Sequence, residues 1–137
     1  MNLLVIDGQG GKMGKALVER LLARLPGHTL IAVGTNSEAT AAMRKAGAVL
    51  CATGENPVIV NAKDADVIMG PMGLIAANSL LGEITPAMAL SISESKAKKI
   101  LIPVNRCGIA VAGVNEDLTL GDLMDRAVDM ACTEAQR

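Results

Sequence analysis

The 137-residue chain contains no Phe, Tyr or Trp, although half of its residues are apolar. Its core must therefore be assembled from Leu, Ile, Val, Ala and Met, side chains that pack well between a sheet and helices. The same absence removes any aromatic platform for stacking a base, a flavin or single-stranded nucleic acid. An excess of one charge is lacking too: 13 basic residues face 14 acidic ones, for a net charge of −1. With no basic stripe, nucleic-acid binding is not expected. Histidine is almost missing. His28 stands alone in the turn Pro26-Gly27-His28 and is expected at the surface. Cysteine is scarce and odd in number, with Cys51, Cys107 and Cys132 far apart and no CxxC pair. That makes a disulfide framework and a zinc or other metal site poor expectations, so a reducing cytoplasm is the expected compartment. Neither a Ser-His-Asp nor a Cys-His arrangement is supported. No positively charged leader precedes the first strand. Val67 to Leu81 is apolar, but Gly70, Pro71, Gly73 and Asn78 interrupt it, and it falls short of the roughly 20 apolar residues that span a bilayer. Membrane association is not expected.

What is present is organised around one stretch. The apolar run Leu3 to Ile6 reads as a short buried strand, and four glycines, Gly8, Gly10, Gly11 and Gly14, follow Asp7 within seven residues. Met13, Ala16, Leu17, Leu21 and Leu22 then recur at helical spacing up to Pro26. A glycine turn between a first strand and a first helix is where doubly wound α/β domains bind phosphate. Bare backbone N–H groups approach the ligand there, and the helix N-terminus adds partial positive charge.

Strand and helix patterns alternate onward, which predicts βαβ units and a parallel sheet. Strands are expected at Thr29 to Val33, Ala48 to Ala52, Asp66 to Met69 and Ile100 to Val104, with a sixth at Ile109 to Val114. Ser37 is expected to cap a second helix ending near Gly47, and Asn56-Pro57 to begin a third. Another helix is expected through Leu74, Ile75, Ala77, Asn78 and Leu81, broken at Gly82 and restarted at Thr85-Pro86. Ser95 to Lys99 reads as a solvated turn, and Leu120 to Ala131 as a last amphipathic helix. The predicted fold is α/β: one Rossmann-like, doubly wound domain over residues 1–137, with a mostly parallel sheet of five or six strands flanked by helices.

The candidate cofactor-binding residues are those of the turn, Gly8, Gln9, Gly10, Gly11, Lys12, Met13 and Gly14, together with Thr35 and Asn36 after strand two, and Gly70, Pro71 and Asn78 after strand four. The turn is not the dinucleotide fingerprint, because its last glycine comes one residue late, and it is not a P-loop, because Gln9 and Ala16 stand where that motif needs Gly and Ser or Thr. Nucleotide-binding folds usually carry an acid at the end of strand two for the ribose hydroxyls. Here Gly34-Thr35-Asn36-Ser37 holds none, so NADP is allowed, as is an adenine nucleotide without a ribose clamp. Glu83 is the one acid between Val67 and Ile92. Its apolar setting suggests a raised pKa and an acid or base role, the plainer reading being a solvated turn residue. After strand five, Arg106 suits a carboxylate or phosphate, and Cys107 beside it is a candidate low-pKa thiol, though a small buried hydrophobe is the plainer reading.

The turn Gly8-Gln9-Gly10-Gly11-Lys12-Met13-Gly14 resembles the G-x-G-G-x-M-G turn of dihydrodipicolinate reductases, which implies pyridine-nucleotide binding. Taken whole, the chain resembles an uncharacterised family of small bacterial proteins with a Rossmann-like fold. That resemblance rests on Val5 to Gly11, Gly34-Thr35-Asn36, Ala52 to Asn56, Gly70 to Gly73, Gly82 to Thr85 and Pro103 to Cys107. It implies the fold and no chemistry.

The sequence thus supports a nucleotide-binding module, for NADP or an adenine nucleotide, that senses or regulates. The alternative is a small NAD(P)-dependent reductase using Lys12, Asn78, Glu83, Arg106 and Cys107 and completing its site across a dimer. A homo-oligomer is expected in either case, because Met69, Met72, Leu74, Ile75, Leu80 and Leu81 crowd a short stretch.

Overall fold

Four consecutive apolar residues, Leu3-Leu4-Val5-Ile6, leave a strand no face to turn to water, so the strand must be covered on both sides. The computed structural model, which describes residues 1–104, 108–114 and 117–137, buries all four. They lie in β1 (Asn2–Asp7), followed by α1 (Lys12–Arg24), β2 (Thr29–Gly34), α2 (Ser37–Lys45), β3 (Leu50–Thr53), α3 (Glu55–Asp64), β4 (Val67–Pro71), α4 (Pro86–Glu94), β5 (Lys98–Ile102) and α5 (Leu120–Ala135). The five strands form one sheet in the order β3-β2-β1-β4-β5, and every pairing is parallel. The chain builds outward from β1 to β3 and then returns to add β4 on the other side of β1. The crevice outside the C-terminal ends of β1 and β4 is thus the topological switch point, where open α/β sheets bind ligands.

Because side chains alternate along a strand, β1 supplies both cores. Leu3 and Val5 pack with Leu17, Val18 and Leu21 of α1, Met43 of α2 and Met124, Ala127, Val128 and Ala131 of α5. Leu4 and Ile6 pack with Val58 and Ala62 of α3, Met88, Ala89 and Ile92 of α4, and Leu74 and Ile84 between them. Among the described residues no helix is long and apolar enough to cross a membrane.

The five expected strands that form lie within a few residues of their sequence positions, while two other expectations fail for physical reasons. Ile109 to Val114 forms no strand. Gly108 and Gly113 bend it with φ of 67° and 87°, and a Val114 N–H to Val111 C=O bond closes a turn. The helix expected through Leu74 to Leu81 is only a 3-10 turn, Met72–Ile75, followed by a compact loop in which Asn78, Leu80 and Leu81 adopt φ of 66°, 55° and 56°. Cap positions shift slightly. Asn36 rather than Ser37 caps α2, accepting the Ala39 N–H at 2.9 Å, and α3 starts two residues early, at Glu55 after Gly54. The segment expected as a solvated turn already enters β5 at Lys98, and His28 is half-buried rather than at the surface. The apolar residues behind the oligomer expectation are largely internal: Met69, Met72 and Leu74 are buried, leaving Ile75 and Leu81 exposed.

Gly70 lies where β4 passes closest to β1. A Cβ there would collide with the Ile6 carbonyl and press on Leu74. Gly70→Ala is expected to cost about 1–3 kcal/mol by overpacking, lowering Tm by roughly 2–4 °C for each kcal/mol. Gly10 has nothing within 4 Å of its added Cβ, so Gly10→Ala should stay within about 0.5 kcal/mol of wild type. Thermal melts followed by far-UV circular dichroism measure both, and equal Tm values for the two variants would refute this account of the β1–β4 contact.

Candidate functional site

The turn after β1 is held from inside by Asp7. This carboxylate, only 6% exposed, accepts the Gly8 N–H at 2.8 Å through Oδ1 and the Gly14 N–H at 2.6 Å through Oδ2. Burial pushes the Asp7 pKa up, the Gly14 and Gly8 bonds pull it down and the charge of Glu83 adds to the rise, leaving it above the usual aspartate range. The Gly11 N–H turns back to the Gly8 carbonyl at 3.0 Å. The amides of Gly8, Gly11 and Gly14 are therefore spent within the protein and do not reach a ligand. Those of Gly10, Lys12 and Met13 have no partner among the described residues. They stand at the N-terminus of the 13-residue α1, whose N-cap, Gly11, contributes no side-chain bond. A helix end of this kind presents about half a positive charge and free N–H groups, the two requirements for holding an anion.

Beside these amides lies a cavity of about 290 Å³. Gly8 to Met13 form one wall, and Pro71 from the end of β4, Leu80, Val104 beyond β5 and Leu120 at the start of α5 form the others. It is the crevice at the switch point, polar on the glycine side and aliphatic opposite. On the outer side of the turn, Lys12, Lys15 and Lys45 border a groove with Glu38, an excess of positive charge.

Glu83 joins the Gln9 backbone, which lines this cavity, to the end of β2. Its Oε1 accepts the Thr35 hydroxyl at 2.6 Å, the Asn36 side-chain N–H at 2.6 Å and the Gln9 backbone N–H at 3.0 Å. Its Oε2 has only a 3.2 Å contact to the same Gln9 N–H. Burial would raise the Glu83 pKa, but the bonds from Thr35, Gln9 and Asn36 outweigh it and hold the carboxyl below the usual glutamate range. This corrects the expectation of a raised pKa: Glu83 is an ionised acceptor rather than a proton donor near neutrality. It also corrects the view that the end of β2 has no acid. The acid comes from the loop after β4 instead of from the strand.

That loop is held in an unfavourable shape. The left-handed backbone at Leu80 and Leu81 costs roughly 1–2 kcal/mol per residue. Fully buried Ile84, the Asn78 N–H bond to the Ile84 carbonyl at 2.7 Å and the bond from the Ser79 hydroxyl to the Gly73 carbonyl hold it in place. Gly8 makes room for the result, since a Cβ there would sit 2.7 Å from Thr35 Oγ1 and 3.1 Å from Glu83 Oε1.

Of the candidates read from the sequence, Gly8 to Met13 and Pro71 line the crevice, while Thr35, Asn36 and Glu83 form a hydrogen-bonded group that meets it at the Gln9 backbone. Gly14 is buried behind Asp7, and Gly70 is packed against β1. Asn78 shapes the loop from an exposed position and does not line the cavity. Arg106 and Cys107 lie outside the described residues. Sequence reasoning gave no role to Asp7. Its signal was an acid placed immediately before the first glycine of the turn.

The chain belongs to the family described as Domain of unknown function (DUF3842), whose model matches residues 2–136. No curated protein matches its sequence. Among solved structures it is similar to a dodecameric FMN-dependent UbiX-like decarboxylase from Escherichia coli O157:H7. The likeness covers 100% of this chain and 96% of that one at 19% identity, with a TM-score of 0.55. At that identity it shows the α/β fold and nothing about chemistry.

A depressed pKa gives a definite sign to the acid limb. The stability that Glu83 adds is present above the glutamate value of 4.5 and is lost as pH falls through the lower folded-state value. Glu83→Gln cannot ionise, so its stability deficit should narrow between about pH 7 and about pH 3, where carboxylates become protonated. Urea unfolding across that range tests this. A deficit independent of pH would show that the carboxylate charge does not matter.

Proposed function

Proceeding from membership in this family, we propose that the protein binds a nucleotide-type, phosphate-bearing ligand in the crevice between β1 and β4 and acts as a sensing or regulatory module. The observation that carries the reading is the set of amides of Gly10, Lys12 and Met13 that have no partner among the described residues, at the N-terminus of α1, in residues that line a cavity at the topological switch point. A phosphate fits there because it supplies several acceptor oxygens and negative charge to the donors of a helix N-terminus. Lys12 adds a mobile cation at the same place. The aliphatic wall of Pro71, Leu80, Val104 and Leu120 suits the apolar body of a nucleotide. The FMN dependence named for the decarboxylase of similar fold supports a nucleotide-type ligand and leaves the choice among flavin, adenine and pyridine nucleotides to experiment. NADP is the least suited of these, because the ionised Glu83 occupies the end of β2. The reductase alternative loses Glu83 as a proton donor for the same reason, which favours binding without chemistry.

We also propose self-association through the β3 edge. The sheet has two edges, and they differ. β5 is guarded by Lys98, Lys99 and the following Pro103, whereas Ala46 to Gly54, around β3, carries no charged side chain. Val49 is 83% exposed and Leu50 50%. An uncharged apolar edge strand is a template for pairing with another chain. Light scattering at low micromolar concentration should give a dimer or larger mass for wild type and a monomer for Leu50→Lys. A wild-type monomer would refute the pairing.

For the ligand, dye-based or calorimetric melting with ADP, NAD, NADP and FMN is the direct test. At one hundred times its dissociation constant a ligand should add about 2.7 kcal/mol of stability. Gly10→Val should abolish that shift while remaining folded, because a Cβ at Gly10 meets no protein atom within 4 Å and only a ligand would encounter the branched side chain. Absence of any shift by all four compounds at millimolar concentration would refute the nucleotide reading.

A further inference from the structure

The end of β2 adjoins the crevice through Gln9, whose carbonyl accepts from the Asn36 side chain and whose N–H donates to Glu83. Thr35 and Asn36 bring a hydroxyl and an amide to that point but no charge, and Glu83 reaches them across 48 and 47 residues of sequence. The two carboxylate oxygens are not equivalent. Oε1 is saturated by Thr35, Asn36 and Gln9, at 2.6, 2.6 and 3.0 Å. Those three bonds fix the carboxylate in place. Among the described residues Oε2 has the longer, shared contact of 3.2 Å alone and retains acceptor capacity. A carboxylate so held presents one oriented acceptor oxygen beside the Gly8-Gln9 backbone, one step along the turn from the unpartnered amide of Gly10. Vicinal hydroxyls are the complementary chemistry, since both can donate to a single carboxylate. A phosphate ester at the same point would set two anions against each other, with Thr35 and Asn36 already committed and no lysine or arginine among the contacts Glu83 makes with the described residues.

We propose that Glu83 is a specificity-determining residue that accepts the ribose hydroxyls of the ligand, so that the site takes nucleotides with free 2′- and 3′-hydroxyls and turns away those phosphorylated at the 2′ position. The assignment rests on the nucleotide reading above and adds the ligand's sugar to it. It also gives the loop from Ala76 to Thr85 a function, because the left-handed residues Leu80 and Leu81 with Gly82 deliver Glu83 to a strand end that has no acid of its own.

The test compares ADP with 2′-deoxy-ADP, and NAD with NADP, by titration calorimetry on the wild-type protein and on Glu83→Gln. Wild type should bind ADP about tenfold or more tightly than 2′-deoxy-ADP, as expected for loss of a hydrogen bond to a charged acceptor, and should prefer NAD to NADP by at least as much. Glu83→Gln, verified as folded by circular dichroism, should bring both ratios to within about threefold, since a neutral amide offers a weaker acceptor and no repulsion. Equal binding of ADP and 2′-deoxy-ADP by wild type overturns the assignment of Glu83 without needing any variant, and leaves the phosphate reading standing. Ratios unchanged in Glu83→Gln overturn it too. If neither ADP nor inorganic pyrophosphate binds wild type, the phosphate reading falls first and this assignment with it.

Discussion

A buried carboxylate is tolerated only when donors point at it, and the Gly8 and Gly14 amides do so for Asp7, at 2.8 and 2.6 Å. This double contact shapes the site. It ties the end of β1 to the first turn of α1 and thereby sets the angle at which the helix leaves the sheet. It also decides which amides the protein consumes. With Gly8 and Gly14 committed to Asp7 and Gly11 to the Gly8 carbonyl, the N–H groups without a partner among the described residues are those of Gly10, Lys12 and Met13, all in residues that line the crevice. The helix dipole and these three donors then act together, while Asp7 lies behind the turn with both of its oxygens hydrogen-bonded.

Glu83 does from outside what Asp7 does from inside. It joins the turn, through Gln9, to the end of β2, through Thr35 and Asn36, so three segments distant in sequence share one acceptor. The two carboxylates are driven in opposite directions, Asp7 upward by burial and Glu83 downward by its donors. Their environments differ in one respect that matters for function. Asp7 has both oxygens engaged by backbone and no route to a ligand, whereas Glu83 is half-buried at the rim. The loop that supplies it is strained at Leu80 and Leu81 and held at its base by buried Ile84. Strain of this kind persists only where surrounding contacts over-determine the backbone, and here those contacts end at the crevice.

Much of this architecture was legible in the residues themselves. The unbroken run Leu3 to Ile6 marked a strand covered on both faces, the helical spacing from Met13 to Leu22 marked α1, and the glycines between them marked the turn, because each of these signals lies within a few residues of chain. Alternation of such units is sufficient for a parallel, doubly wound sheet. The site was legible as a place and not as a set of contacts. Local periodicity even misled at Leu74 to Leu81, where apolar spacing suitable for a helix is satisfied instead by a compact loop that buries Leu74 and Ile84, and at Ile109 to Val114, where two glycines in left-handed conformation close a turn.

What the sequence by itself determined is the order of elements, the two-sided core around β1 and the position of the glycine turn. All of these follow from periods of two and 3.6 residues and from turn chemistry that acts over a handful of bonds. What only the tertiary structure decided is which amides of the turn are open, that Asp7 is its internal brace, and that the acid missing from the end of β2 arrives as Glu83. Each of these depends on a meeting of residues separated by a strand, a helix or more. Thr35 and Glu83 are 48 positions apart and come within hydrogen-bond reach only because the sheet places β4 on the far side of β1 from β2, so that the loop after β4 folds back over the ends of both.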